Sequence, residues 1–336
     1  MTTIRERLEK REEEILSPYA TLSSRSEGRD REEDPCDLRP CFQRDRDRIL
    51  YSKSFRRLKD KTQVFLTPDG DHYRTRMTHT LEVAQNARTI ARALRLNEDL
   101  AEAIAFGHDI GHTPFGHAGE RALQAVCPSG FRHNEQSLRI VERLEKDGEG
   151  LNLTREVRDG ILNHEISTRP STPEGQIVRL SDKIAYIHHD MDDALRGGIL
   201  KEGDVPQEIA EVIGATNGEW LDTFIHDIIV TSEGSPEIRM SGEIAEAMQK
   251  LRTFMFEAVY TNPVAKGEEG KATELVKALY GYYYEHPEKL PRLQQRMIVD
   301  GEPLERCVCD HISSMTDRYA IARYEELTIP KSWPVF

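Results

Sequence analysis

Apolar residues in this chain recur at three- and four-residue spacing, not at alternate positions, so the pattern predicts helices joined by short polar breaks. Residues 4–16 predict a charged, peripheral helix, and residues 17–40, rich in Ser, Asp, Arg and Pro, an irregular lead-in. Thr67-Pro68-Asp69-Gly70-Asp71 signals a turn, so Val64–Leu66 and His72–Tyr73 are expected to form a small hairpin. The next helix has Val83, Ala87, Ile90 and Leu94 on one face, Thr78 as its expected N-cap and His79 in its first turn.

Asn97 caps a helix whose apolar face runs through Leu100, Ala101, Ile104 and Ala105. The rows Leu100–Ile104–His108 and Ala101–Ala105–Asp109 carry an adjacent His and Asp to the inner end of that face. Gly111 and Pro114 stop the helix, His112, His117 and Glu120 follow, and residues 120–126 are helical again. Phe131–Gln136 opens a helix bearing Leu138, Val141 and Leu144, residues 154–164 form another, and 169–175 is a loop. From Gln176 to Leu195 the core stripe is Ile177, Leu180, Ile184, Ile187 and Met191, flanked by the row Val178–Asp182–Tyr186–Asp190.

Further on, 209–213, 220–229, 243–260, 273–284 and 303–319 read as helices, with a strand around 228–230 as an alternative. The expected class is all-α with at most the one hairpin. The expected organisation is a lead-in (1–40), a helical core (41–200) and a C-terminal helical region (201–336) packed on that core.

A net charge of −13 argues against a surface that binds nucleic acid or anionic membrane as a whole, so any phosphate site must be a local basic pocket. No apolar run approaches the ~20 residues that span a bilayer, and the N-terminus lacks a signal-peptide core, so a cytoplasmic protein is expected. Five cysteines fit neither a disulfide framework nor a zinc ribbon. Arg44–Lys61 holds eight basic side chains against three acids, which are either paired inside the fold or aimed at an anion such as single-stranded nucleic acid.

His79, His108, Asp109 and Asp182 each lie at the end or edge of a buried helical face. An isolated His-Asp pair can simply satisfy itself by a hydrogen bond. Two imidazoles and two carboxylates together also suit a divalent ion, open to Mn, Fe, Co, Ni or Zn, with positions left for water or a phosphate oxygen.

The pattern H…HD…D resembles the HD-domain metal phosphohydrolases. The resemblance narrows with Phe42-Gln-Arg-Asp-Arg-Asp-Arg-Ile49, Phe55-Arg-Arg-Leu-Lys-Asp-Lys-Thr-Gln-Val64, His108-Asp-Ile-Gly-His-Thr-Pro-Phe-Gly-His-Ala-Gly-Glu120 and His311-Ile-Ser-Ser-Met-Thr-Asp-Arg-Tyr319. These stretches are similar to bacterial dGTPase-like deoxynucleoside triphosphate triphosphohydrolases. That resemblance implies an HD helical core and hydrolysis of a dNTP to deoxynucleoside and tripolyphosphate. It implies a metal on His79, His108, Asp109 and Asp182, with Mg accompanying the substrate phosphates.

His117 and Glu120 match a family His/acid pair, and His133 a further family histidine. Which histidine protonates the departing 5′ oxygen stays open. The resemblance puts Arg76 and Lys183 on the phosphates, Tyr186 and Asp190 near the sugar, and Gln63 near the 3′ hydroxyl. A Tyr186 ring beneath the 2′ carbon would exclude ribonucleotides. His112, His164, His188 and His189 are expected to be structural, with His112 close to the site. A homo-oligomer is expected. The rival readings are an HD phosphohydrolase of a monophosphate or signalling nucleotide, and a non-catalytic nucleotide- or single-strand-binding protein.

Overall fold

The computed structural model describes residues 2–63, 74–165, 167–201, 203–260 and 268–331. Among these the only β pairing is an isolated antiparallel bridge between Thr62 and Thr75; all else regular is helical. The expected hairpin across 64–73 lies outside the described residues.

Helix α1 (Ile4–Ile15) buries none of its residues, while α2 (Cys41–Leu50) and α3 (Lys53–Arg57) anchor through Phe42, Ile49 and Phe55. The arginines of α2 meet acids: Arg46 reaches Asp99 at 2.6 Å and Glu102 at 3.1 Å, and Arg48 binds both Glu33 oxygens. Lys61 is buried.

Helix α4 (Arg76–Ala93) starts earlier than expected. Its N-cap is Thr75, not Thr78, because the Thr75 N–H donates to Thr78 Oγ1 at 3.1 Å one turn inside. Asn97 caps α5 (Glu98–Gly107), its side chain accepting the Leu100 N–H. Then come α6 (Gly116–Val126), α7 (His133–Arg139) and α8 (Arg155–Leu162). Helix α9 (Pro173–Arg196) also begins before the expected Gln176, since Thr172 caps it and Pro173 brings a preset φ to its first position.

After α10 (Gln207–Ile213), the expected alternative of a strand at 228–230 is overturned. Those residues lie in α11 (Asn217–Ser232), which buries Trp220, Phe224 and Ile228 at four-residue spacing. Helix α12 (Gly242–Met255) runs into a π-turn at Phe256–Tyr260, followed by α13 (Glu269–Glu285) and α14 (Arg292–Val299). Helix α14 buries only Gln294 and Met297, so its periodic signal was too weak to predict it. The single helix expected over 303–319 is two, α15 (Leu304–Ser313) and α16 (Asp317–Thr328), because Thr316 caps a fresh start. No helix among the described residues is long and apolar enough to cross a membrane.

Packing sorts these helices around two apolar clusters. In one, α5 lies against α2, α4 and α9, with Val83, Ala87, Ile90, Leu100, Ile104, Ile177 and Ile184 all but fully buried. In the other, α6 packs on α13, and α13 on α15 and α16, around Leu123, Val276, Leu279 and Ile312. The end of α5 and the start of α6 meet where the two clusters join.

Candidate functional site

Leu100, Ala101, Ile104 and Ala105 are wholly inaccessible, so the turn that follows them is carried into the interior. There His108 Nδ1 lies 2.6 Å from the Ala105 carbonyl, which can only accept, so Nδ1 carries the proton and Nε2 is bare. That Nε2 is buried with no hydrogen-bond partner. It faces Asp109 Oδ1 at 3.5 Å and Asp182 Oδ1 at 3.8 Å. Three acceptors turned toward one another, with no donor between them, are a poor hydrogen-bond arrangement and a good cradle for a cation.

Helices α4 and α9 complete it. His79 Nε2 is 3.1 Å from Asp182 Oδ1 and 3.8 Å from Asp109 Oδ2. Burial alone would raise the Asp109 carboxyl, but His108, His112 and Arg76 beside it hold it well below the usual carboxylate range. Asp182 is likewise held down, against its burial, by the His79 and His108 imidazoles beside it. Ligand atoms of His79, His108 and Asp109 lie within 4.8 Å of one another, so the donor set fits a divalent ion. Behind His79, the buried His189 faces it Nδ1 to Nδ1 at 3.4 Å and meets Glu82 through Nε2. Burial pushes the His189 imidazole down to about 4.

A second group lies beside this one. Gly111 has no room for a Cβ, which would collide with Ser137 N and His133 O, so only glycine lets α7 bring His133 so close. Phe115 adopts the left-handed conformation (φ 62°) and turns the chain into α6. Glu120 on that helix is 3.4 Å from His117 Nδ1, accepts the His133 N–H at 2.8 Å and meets His133 Nδ1 at 2.9 Å. His164 gives its Nδ1 proton to the Ile161 carbonyl at 2.7 Å, so its Nε2 must accept from His133 Nε2 at 3.2 Å. His133 therefore donates from both nitrogens, as an imidazolium. Burial opposes that charge, but Glu120 raises the His133 pKa nonetheless. Burial pushes His164 down to about 4, and Glu120 is held well below the carboxylate range by His117 and His133 despite its own burial. His112 stacks on His133, ring centroids 3.9 Å apart, and reaches Asp109 Oδ1 at 3.2 Å.

Both groups open onto a cleft of about 720 Å³. Every site residue expected from the sequence lines it except His108, which lies buried behind Asp109. Arg76 is not free in the cleft: its guanidinium donates to Asp109 Oδ2 at 2.7 Å and to the Gln63 carbonyl at 3.4 Å. Along α9, burial lowers Lys183 to about 8, raises Tyr186 to about 12, and raises Asp190, next to Asp193, well above the carboxylate range.

Sequence reasoning set His112, His164 and His189 aside as structural, yet all three touch the predicted residues. It also missed Arg252, Phe256 and Val259, which wall the cleft from α12 and its π-turn. His164 follows an apolar helical face as His108 does, and that was an available signal; Arg252 offered none.

Residues 76–187, which include all four proposed ligands, match the HD domain, and residues 238–326 match the phosphohydrolase-associated domain. A deoxyguanosinetriphosphate triphosphohydrolase-like protein of Caldanaerobacter subterraneus subsp. tengcongensis is 56% identical over 331 residues, covering 98% of this chain and 97% of that one. Like-named proteins of Desulfatibacillum aliphaticivorans and Clostridium perfringens are 49% and 48% identical, each over 98% of this chain and 99% and 98% of theirs. The chain belongs to the HD-domain, dGTPase-like family. The family is one of phosphohydrolases, HD domains bind divalent metals, and the His79–His108–Asp109 cluster could hold such an ion.

Proposed function

We propose that this protein hydrolyses deoxynucleoside triphosphates to deoxynucleoside and tripolyphosphate, with a divalent ion held by His79, His108, Asp109 and Asp182. The observation that carries the reading is the bare, buried His108 Nε2, which shares its space with two carboxylates at the floor of the cleft. A bound divalent ion supplies Lewis acidity toward a phosphoryl oxygen and a more acidic water. The family name of the relatives supports a nucleotide triphosphate as the substrate.

The chain's own groups have the following roles in this reading. Lys183 and Arg76 set positive charge beside the phosphates, with Mg accompanying the chain of phosphates. His117, its side chain 64% exposed and tied to Glu120 through Nδ1, gives a proton to the departing 5′ oxygen. His133 has both nitrogens committed, to Glu120 and His164, and so holds Glu120 in place rather than shuttling the proton itself. Gln63, Tyr186 and Asp190 contact the sugar, and burial beside Asp193 raises the Asp190 carboxyl well above the usual carboxylate range. Residues 41–200 are the catalytic core, 201–336 close the cleft from the other side, and the working form is a homo-oligomer.

The test is incubation with each dNTP plus Mn or Mg and analysis of the released phosphate chain. Inorganic tripolyphosphate is expected. Orthophosphate or pyrophosphate in its place would overturn the reading in favour of another HD phosphohydrolase activity, and binding of oligonucleotides without turnover would favour a non-catalytic protein.

A further inference from the structure

Behind the proposed metal cluster, Glu82, His189 and His79 form a chain that no step above has used. Glu82 lies one turn beyond His79 on α4, and His189 two turns beyond Asp182 on α9. His189 is fully buried, and its ring meets that of His79 edge-on, at 86° and 5.3 Å between centroids. Its Nε2 abuts Glu82 Oε2, while Glu82 Oε1 accepts from Arg74 Nε at 3.2 Å.

The protons along this chain are fixed by what each end can do. The Glu82 carboxylate, paired with Arg74, only accepts, so His189 must carry its proton on Nε2. Neutral His189 then has a bare Nδ1, and the atom facing it at 3.4 Å is His79 Nδ1. His79 Nδ1 must therefore hold the proton, and His79 Nε2 is left bare toward Asp109 and Asp182. Left to itself in the metal-free chain, His79 would do the opposite, protonating Nε2 and donating it to Asp182 at 3.1 Å.

We propose that Glu82 and His189 are positioning residues for the metal centre: through His189, the Glu82 carboxylate fixes the His79 tautomer that presents Nε2 as a ligand. The inference rests on the reading above that His79 binds the ion. Glu82, His188 and His189 also bring ligand atoms within 4.8 Å of one another, which invites a second metal centre. A cation on His189 Nε2 would move that ring's proton to Nδ1, reverse the chain, and leave His79 Nε2 protonated. The two uses exclude each other, and the geometry at His79 favours the relay.

The experiment is calorimetric titration of the chelator-stripped, full-length chain with Mn²⁺, together with ¹⁵N imidazole spectra of the metal-free chain. Glu82→Leu is expected to weaken Mn²⁺ binding by roughly 10–100-fold. Glu82→Gln, whose amide oxygen accepts the same N–H, should stay within a few-fold of the parent. In the parent spectra His79 should be protonated at Nδ1, and in Glu82→Leu at Nε2. Parent-like Mn²⁺ affinity in Glu82→Leu, or an equal loss in Glu82→Gln, would overturn the relay. If Glu82→Leu fails to fold, the parent spectrum decides alone, and a proton on His79 Nε2 sinks the proposal. His79→Ala is the separate control: unchanged Mn²⁺ binding there would refute the metal reading itself.

Discussion

The Asp317 carboxylate accepts the backbone N–H of Phe115 at 3.0 Å, across 202 residues of sequence. Its other oxygen accepts the Thr62 N–H at 3.0 Å and the Thr62 hydroxyl. Lys61 Nζ donates to the His112 carbonyl and, at 2.7 Å, to that of Ser313. The α15–α16 corner, part of the motif from His311 to Tyr319, thus grips both the left-handed turn that launches α6 and the Lys61–Thr62 segment beside Gln63.

Asp317→Ala should therefore act on the cleft from outside it. Each lost hydrogen bond to a buried charged group is worth about 1.5–3 kcal/mol. We expect a lower melting temperature and faster amide exchange at Phe115. Unchanged exchange there would show that the corner does not hold the turn.

Lys61 gives the stability a pH dependence of known sign. Burial lowers its pKa to about 7, against about 10.4 in an unfolded chain. Between those values the unfolded state binds more protons, so this group makes stability rise with pH, by at most about 1.4 kcal/mol per unit, and adds no slope below about pH 7. Lys61→Met should flatten that rise in denaturant titrations between pH 7 and 10; an identical slope would contradict it.

Asp182→Ala is expected to abolish both metal binding and turnover while circular dichroism stays helical, because Asp182 lies at the cleft edge and its side chain is 24% exposed. Elemental analysis of the purified variant checks the first half, and a full complement of metal would remove Asp182 from the ligand set.

Gly111→Ala would drive a Cβ into the backbone of Ser137 and His133. Overpacking of this kind costs about 1–3 kcal/mol or more, since backbone cannot swing aside as a side chain does. A melting temperature within a degree of the parent would mean that α7 is free to shift.

Tyr186→Ala should relax discrimination against ribonucleotides, raising the ratio of rNTP to dNTP turnover by about 10–100-fold if the ring excludes a 2′ hydroxyl. An unchanged ratio would move that role elsewhere in the cleft.

Much of the site was legible in the sequence because local periodicity encodes faces. The four-residue rows put His108 and Asp109 at the end of a buried stripe and aligned Asp182, Tyr186 and Asp190 along one edge of α9. The helical class followed from the same spacing, and the errors in it were missed caps at Thr75 and Thr172, a strand offered at 228–230, a missed break before Thr316 and the faint helix α14.

Packing alone decided which side chains meet. Glu120 of α6 meets His133 of α7, His164 and His189 back the two imidazole groups, Arg252 enters from α12, and Asp317 reaches across to Phe115. These partners come from different segments, some more than 100 residues apart in the chain. Their meeting depends on how apolar faces pack together, and no local spacing of residues records that.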